Sequence, residues 1–334
     1  MPYTSIQTAS GPVRVRYTLS TPSQSSAKVE SLDRSIPTLL LLHPTFISHE
    51  IFHPQFNDAR LRKFNLIAID TRCHGETSGS VPEGYSPLTA ADDVAKFMDA
   101  LGIPSCHLVG LSAGSSIALQ VASAHPSKVL SLFLVSPLPS AMTPEVSEGM
   151  KEIYDCWEAG FQDMDNIDET ALHDAVYGVL QFGFNNPASS LVRALGEMAF
   201  SSGLKNWTPE HFSEFHRACI SFTKDAITDA QLERISCPMK LVHCAEDIAF
   251  PVELAQQTQM RYQNIGLDAG LLTVAHAGHY GTVTHPESIN PLISQFVLAN
   301  HGSKLSLPCP SLITSPFEAA LRQAGWVEDS EEDW

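Results

Sequence analysis

The chain has 334 residues, of which 43% are hydrophobic and 17% are charged, an ordinary globular composition. Its formal net charge of −17 argues against nucleic-acid and anionic-membrane partners, since both require basic surfaces. No apolar run is long enough to span a bilayer, and the first residues lack the basic-then-apolar pattern of a signal peptide, so we expect neither a membrane span nor a leader. The seven cysteines lack paired spacing, which predicts reduced thiols in the cytoplasm.

Strand and helix patterns alternate through the first part of the chain. The period-two stretches SIQTAS (5–10) and VRVRYTLS (13–20) predict an antiparallel edge hairpin. Four apolar runs are typical of strands buried on both faces of a parallel sheet: 38–44, 65–70, 107–112 and 129–136. Helical patterns follow three of them, at 54–63, 89–103 and 113–126. This order predicts right-handed crossovers and a doubly wound α/β core.

The alternation stops at 138, and residues 138–227 show only helical patterns. Thr143, Asp168 and Thr208 are predicted to cap three of these helices. Strand patterns return at 239–247 and 271–279, followed by a helix at 286–300 and a short one at 317–326. We therefore predict a core formed by 1–137 and 228–302, a helical cap formed by 138–227, and a C-terminal extension, 303–334, that ends in an acidic tail.

The pentapeptide HEIFH (His49–His53) matches the H-E-x-x-H motif of zinc metalloproteases. That motif works on a helix, where the two histidines share one face. Pro54 follows directly, and the residue before a proline is pushed out of the helical region. No third ligand stands at the extended-motif spacing. We therefore expect no metal here, and no cofactor.

The pentapeptide GLSAG (Gly110–Gly114) matches G-x-S-x-G, the nucleophile elbow. The serine of an elbow sits in a sharp, strained turn, whose flanking positions tolerate almost no side chain. A loop serine between two glycines is the alternative. The apolar strand before Ser112 and the helical pattern after it favour the elbow, so Ser112 is the predicted nucleophile.

With this motif, the chain resembles the α/β-hydrolase family, specifically members with a helical cap, over roughly residues 10–300. Four stretches resemble the family's oxyanion loop, its D-x-R-G-H-G-x-S loop, its acid loop and its histidine loop: HPTF (43–46), DTRCHGETSG (70–79), CAEDIAFP (244–251) and AGHYGTVTHPESIN (277–290). The resemblance implies an α/β-hydrolase fold, a mostly parallel doubly wound sheet with a helical cap insertion. It also implies a catalytic triad of Ser112, Asp247 and His279, in the family's chain order.

Each role follows from chemistry. Ser112 is a weak nucleophile and needs a base, and the imidazole of His279 can take its proton and return it to a leaving group. Asp247 would accept the other ring N–H and hold the tautomer. The backbone N–H of Ala113 would bind the oxyanion, with Thr45 as second donor because the preceding proline has no N–H.

Two neighbouring residues are alternatives for the acid and the base. His276 lies near His279, but the family's histidine is the one directly after the glycine of this loop. Glu246 adjoins Asp247, yet neighbours at a strand end point in opposite directions.

Other polar residues near the motifs are assigned structural roles. We expect His43 and His74 to be loop residues hydrogen-bonded to backbone, and Cys73 and Cys244 to be packing residues. Cys73 stands where the family has glycine, which predicts a different backbone path there. Ser115 also replaces a common glycine, but it is still small.

A helical cap builds a closed and largely apolar pocket. The insertion supplies aromatic residues that we expect mostly to pack within the cap: Trp157, Tyr177, Phe182, Phe184, Phe200 and Phe212. The sequence predicts a serine hydrolase that cleaves a small or medium, mainly hydrophobic ester or lactone through an acyl-enzyme. The alternatives are a C–C bond hydrolase, an acyltransferase or perhydrolase on the same triad, and a receptor-like binding protein with little turnover. The expected partner is a small-molecule substrate, and a homodimer is left open.

Overall fold

A computed structural model describes residues 2–25, 32–185, 189–301, 307–311 and 313–328. Of the predicted acidic tail, VEDSEEDW (327–334), residues 329–334 lie outside the described residues. Among the helices within those ranges, none is long and apolar enough to cross a membrane.

The centre of the structure is a twisted, mostly parallel sheet. Its strands are β1 (Tyr3–Thr8), β2 (Gly11–Thr21), β3 (Gln24–Ser25), β4 (Thr38–Leu42), β5 (Asn65–Ile69), β6 (Cys106–Leu111), β7 (Val129–Val135), β8 (Met239–Cys244) and β9 (Ala269–Val274). Their order is β1-β2-β5-β4-β6-β7-β8-β9, with β3 paired to β2. β4 to β9 pair in parallel, whereas β1, β2 and β3 pair antiparallel at one edge. The predicted fold class and edge hairpin are confirmed.

Helices cover both faces of the sheet and fill the insertion. They are α1 (His53–Phe56), α2 (Pro87–Ala100), α3 (Ala113–Ala124), α4 (Pro144–Ala159), α5 (Glu169–Phe184), α6 (Ser190–Asn206), α7 (Phe212–Phe215), α8 (Asp229–Leu232), α9 (Val252–Asn264), α10 (Gly281–Thr284), α11 (Pro286–Asn300) and α12 (Glu318–Gln323). The sequence analysis missed α9. This helix buries only Ala255, Thr258 and Tyr262, so its apolar periodicity is weak.

The helix predicted at 54–63 is wrong. A 3-10 turn over His49–Phe52 runs directly into α1, and a second 3-10 turn covers Leu61–Lys63. His53 has helical dihedral angles (φ −47°, ψ −48°) although it precedes a proline. The steric rule disfavours this conformation without forbidding it, and burial of the phenylalanines at 52 and 56 in the core offsets its cost.

The segment 138–227 between β7 and β8, here called the insertion, contains three long helices, α4 to α6, and then a broken helical stretch. The hydroxyl of Thr143 accepts from the backbone of α4, and the carboxylate of Asp168 accepts from the backbone of α5, as predicted for caps. Thr208 stands at the N-cap position of the 3-10 turn Pro209–His211, as predicted, but its hydroxyl bonds the His211 ring and not a backbone N–H. The single helix expected after it is a succession of 3-10, α and π turns ending at Lys224.

Residues 313–328, here called the C-terminal strap, cross from the core to the insertion. The ring of Phe317 packs edge-on against His49, with centroids 5.1 Å apart, and Trp326 packs against His53 at 4.6 Å. At the far end, the Ser190 hydroxyl of α6 donates to a backbone carbonyl of the strap at 2.7 Å. The strap therefore contacts both the turn after β4 and a helix of the insertion.

Candidate active site

Ser112 lies in the sharp turn between β6 and α3. Its backbone is left-handed, with φ +53° and ψ −118°, a strained conformation for a residue with a side chain. A Cβ atom at Gly110 would lie 2.6 Å from the Cα of Ser115, and one at Gly114 would lie 2.0 Å from the carbonyl oxygen of Leu42. Both glycines are therefore required sterically for this turn.

Ser112, His279 and Asp247 form one continuous hydrogen-bonded chain. The Nε2 atom of His279 is 2.8 Å from the Ser112 hydroxyl, and its Nδ1 atom is 2.6 Å from Oδ2 of Asp247. Oδ1 of Asp247 accepts from the backbone N–H groups of Ala249 and Phe250, at 3.0 and 2.9 Å. The structure thus brings together the three residues that the sequence predicted, although β7, the whole insertion and β8 separate the serine from the acid.

The tautomer of His279 follows from these partners. A carboxylate can only accept, so Nδ1 carries the proton and donates to Asp247. Nε2 then has a free lone pair toward the Ser112 hydroxyl, which donates to it. This arrangement can remove a proton from the serine and stabilise the resulting imidazolium.

Two backbone donors lie beside the nucleophile. Ala113 begins α3 directly after Ser112, and Thr45 follows β4, which pairs with the strand that carries the elbow. Both residues are buried, and within the part of the chain that the structure describes neither backbone N–H has a hydrogen-bond partner. The next N–H, that of Phe46, is already used, because it donates to Nε2 of His74 at 3.1 Å. Ala113 and Thr45 remain the candidate oxyanion donors.

Two neutral histidines hold this loop. Nε2 of His43 accepts from the Thr71 backbone at 2.9 Å, so its Nδ1 is protonated and donates to the Pro44 carbonyl at 2.6 Å. Burial lowers the pKa of His43, and burial together with the neighbouring His43 lowers the pKa of His74 to about 3. Both therefore bond backbone groups in uncharged form, as the sequence analysis expected.

The alternative acid and base face solvent. His276 and Glu246 are exposed and pair with each other, with Nδ1 of His276 3.1 Å from the carboxylate. Neither contacts Ser112. The geometry therefore separates them from the hydrogen-bonded chain.

Cys73 and Cys244 are buried packing residues beside this centre. Burial raises the pKa of Cys73 to about 12 and that of Cys244 to about 11, which keeps both thiols protonated and unreactive. The prediction of a different backbone path at Cys73 is wrong. Its φ is +66°, the left-handed region that favours glycine, and the indole N–H of Trp207 donates to its carbonyl at 2.9 Å. No signal in the sequence indicated this contact from the insertion.

The HEIFH motif has a different arrangement from that of a zinc site. Nδ1 of His49 is 2.6 Å from Asp70, and the ligand atoms of His49, Glu50 and Asp70 lie within 4.8 Å of one another, whereas His53 turns toward Trp326. Burial alone would lower the pKa of His49, but the carboxylates of Asp70 and Glu50 outweigh it and raise that pKa. The cluster is best explained as a buried ion pair behind the oxyanion loop.

Comparison with known proteins agrees with this geometry. The family model described as alpha/beta hydrolase fold matches residues 37–169. The relative named "Putative carbamate hydrolase RutD", from Caulobacter sp. (strain K31), is 27% identical over 244 residues, which are 72% of this chain and 82% of the relative. The chain has the α/β-hydrolase fold and is an enzyme of that fold.

Two further comparisons extend over more of this α/β-hydrolase. The bifunctional esterase/perhydrolase DCH of Acinetobacter calcoaceticus is 25% identical over 268 residues, 79% of this chain and 92% of the relative. A thermophilic esterase from Thermogutta terrifontis superposes with a TM-score of 0.68 at 16% identity, covering 90% of this chain and all of that one. The latter likeness shows the shared fold.

A cavity of this α/β-hydrolase lies near the triad but does not reach it. It has a volume of about 680 Å³ and is lined by α4, α5 and the loop after β8. Neither Ser112 nor His279 lines it, and both are buried. The ring of Phe182, which does line it, packs against the His279 ring with centroids 5.0 Å apart. A substrate can reach Ser112 only after a side chain or a helix of the insertion moves.

Proposed function

We propose that this α/β-hydrolase is a serine hydrolase that cleaves small or medium, mainly hydrophobic esters or lactones through an acyl-enzyme. The observation that supports it most directly is the buried hydrogen-bonded chain from Asp247 through His279 to Ser112. In it a weak nucleophile, a base and an orienting carboxylate stand in the order that acyl transfer requires.

In the acylation step, the Ser112 oxygen attacks the substrate carbonyl while its proton passes to Nε2 of His279. The negative charge that develops on the carbonyl oxygen is stabilised by the backbone N–H groups of Ala113 and Thr45. Each such donor is typically worth about 10² to 10³ in rate. The tetrahedral intermediate then collapses, and His279 protonates the departing alcohol.

In the deacylation step, His279 takes a proton from water, and the hydroxide attacks the acyl-enzyme carbonyl. The same two N–H groups stabilise the second oxyanion. Collapse releases the carboxylic acid and returns the proton to Ser112. Asp247 accepts from Nδ1–H throughout and stabilises the transient imidazolium without itself taking the proton.

Hydrolysis of p-nitrophenyl acetate, butyrate, hexanoate and octanoate tests this proposal. The Ser112→Ala variant should lose about 10⁴-fold or more in kcat, whereas Ser116→Ala, a matched serine on the same helix, should keep it. Mass spectrometry of the wild type should show an acyl group on the peptide that carries Ser112. Activity that survives Ser112→Ala would refute the assignment.

A second outcome of the same acyl-enzyme is favoured by one relative, the esterase/perhydrolase of Acinetobacter calcoaceticus. Hydrogen peroxide would replace water as the attacking group, and collapse would release a peracid and free Ser112. Adding peroxide during turnover of an acetate ester and assaying peracid separates the two reactions. Peracid formation that depends on Ser112 would establish perhydrolysis, and its absence would leave water as the acceptor.

A further inference from the structure

The cavity between α4, α5 and the loop after β8 has the size and lining of a small-molecule site. Its volume of about 680 Å³ lies within the range of ligand pockets, about 300 to 1,000 Å³. Its wall is largely apolar and includes Val146, Met150, Ile153, Tyr177, Phe182 and Ile248. Such a lining favours the apolar body of a ligand.

The cavity adjoins the triad on two sides. Phe182, near the end of α5, contacts the His279 ring at 5.0 Å and the Phe250 ring at 6.1 Å. On the other side, Ala249 lines the cavity and donates its backbone N–H to Asp247. One aromatic side chain therefore lies between the cavity and the ring that would activate the serine.

The polar part of the lining has one sign of charge. Glu145 and Glu152 of α4 and Asp174 of α5 line the cavity as solvent-exposed carboxylates, and no ion pair among the described residues includes any of the three. Glu152 and Asp174 both lie near the Cys156 thiol. Burial raises the pKa of this thiol, and the negative charges of the two carboxylates raise it further. Of the residues that the structure describes, no lysine, arginine or histidine lines this cavity.

We propose that this cavity binds the acyl chain of the substrate and that Phe182 is the gate between the cavity and Ser112. The cavity selects esters with neutral or cationic acyl chains against esters with anionic acyl chains. This inference rests on the proposed serine hydrolase activity. The apolar wall and the contact between Phe182 and His279 indicate that the acyl chain of the substrate lies in this cavity. The carboxylates in the lining determine which charge on that acyl chain is favoured. An anionic chain end would meet two or three like charges without a compensating cation.

The test uses three p-nitrophenyl esters of equal chain length, whose six-carbon acyl chains end in methyl, carboxylate or trimethylammonium. For wild type we expect kcat/KM to be about 10-fold higher for the cationic than for the anionic ester at low salt, with the ratio shrinking in 0.5 M NaCl. In Glu152→Gln/Asp174→Asn this ratio should fall toward one. Glu148→Gln, an exposed carboxylate of α4 outside the cavity, is the matched control and should keep the ratio.

The gate is tested by chain length. In Phe182→Ala, kcat/KM for the hexanoate should rise several-fold relative to that for the acetate, since only the longer chain must pass the ring. A general loss of folding or catalysis would lower both esters together and would not change their ratio. An unchanged ratio in this variant would refute the gate.

The outcomes separate this inference from the proposed function. No Ser112-dependent hydrolysis of any of the esters would refute the hydrolase itself. Ser112-dependent hydrolysis with equal rates for the cationic and anionic esters, or a charge preference unchanged in Glu152→Gln/Asp174→Asn, would refute the charge selection alone.

Discussion

Replacing Asp247 with asparagine tests the direction of the hydrogen bonds at His279. In the structure Oδ1 of Asp247 accepts two backbone N–H groups, and asparagine can keep both through its single amide oxygen. The amide nitrogen must then occupy the place of Oδ2, 2.6 Å from Nδ1 of His279. Two donors would face each other, so the ring adopts the other tautomer and Nε2 carries the proton toward Ser112.

The expected loss in kcat is about 10⁴-fold, or about 5.5 kcal/mol of transition-state stabilisation. With Nε2 protonated, His279 cannot accept the serine proton. KM should change little, because Asp247 is buried behind the histidine and does not face the substrate. The melting temperature should also change little, because the two backbone hydrogen bonds to the side chain are kept.

The assay is hydrolysis of p-nitrophenyl butyrate from pH 6 to 10, where the residual activity of Asp247→Asn should rise with pH as hydroxide replaces the missing base. Glu246→Gln is the control, since this exposed neighbour pairs with His276 and should keep full activity. A loss smaller than 10-fold in Asp247→Asn, in a protein with wild-type stability, would show that another carboxylate orients the base.

Further predictions concern stability. Gly183→Ala would place a Cβ 2.1 Å from the ring of Tyr280, so this variant should lose about 2 kcal/mol or more of unfolding free energy and have a lower kcat. Its control is Gly149→Ala, which has open space around the new Cβ and should be neutral or slightly stabilising. Thr143→Ala removes the cap of α4 and should cost about 1 kcal/mol in urea unfolding. Burial lowers the pKa of His53 from 6.5 to about 4. Between these two pH values His53 binds a proton in the unfolded chain but not in the folded one. Up to about 3 kcal/mol of unfolding free energy is therefore lost as the pH falls from 6.5 to about 4. In His53→Phe this part of the pH slope should be absent, and an unchanged slope would contradict the assignment.

The strands β4 to β8 could be predicted because almost all of their residues are buried, so that each strand appears as a nearly unbroken apolar run. The run at 38–44 becomes β4, and the run at 107–112 becomes β6, within a residue or two at the ends. The broken helix after Thr208 could not be predicted in the same way. Its residues have helical periodicity, but the π turn at His216–Ser221 places Cys219 beside the His74 ring, with Sγ 3.6 Å from Nε2, and that contact is tertiary.

The candidate site was largely predictable because its geometry depends on local rules. Gly110 and Gly114 are required by atoms of neighbouring strands and turns, and the elbow they permit fixes Ser112. The Thr45 assignment combined the resemblance of HPTF (43–46) to the family's oxyanion loop with the absence of an N–H on proline. The packing of Phe182 on His279 could not be predicted, because the helical spacing of Phe182 is the same whether its ring packs inside the insertion or on that histidine.

HEIFH shows why a local motif can be consistent with two structures. The pentapeptide does form helical turns, although Pro54 predicted that it would not. The two histidines are directed by partners far away in sequence: Asp70 bonds His49, and Trp326 of the C-terminal strap packs on His53. Because His49 and His53 directly follow the loop that carries Thr45, the strap packs against the segment that supports a candidate oxyanion donor. Its other end bonds α6, so movement of the insertion away from the core would strain the same segment.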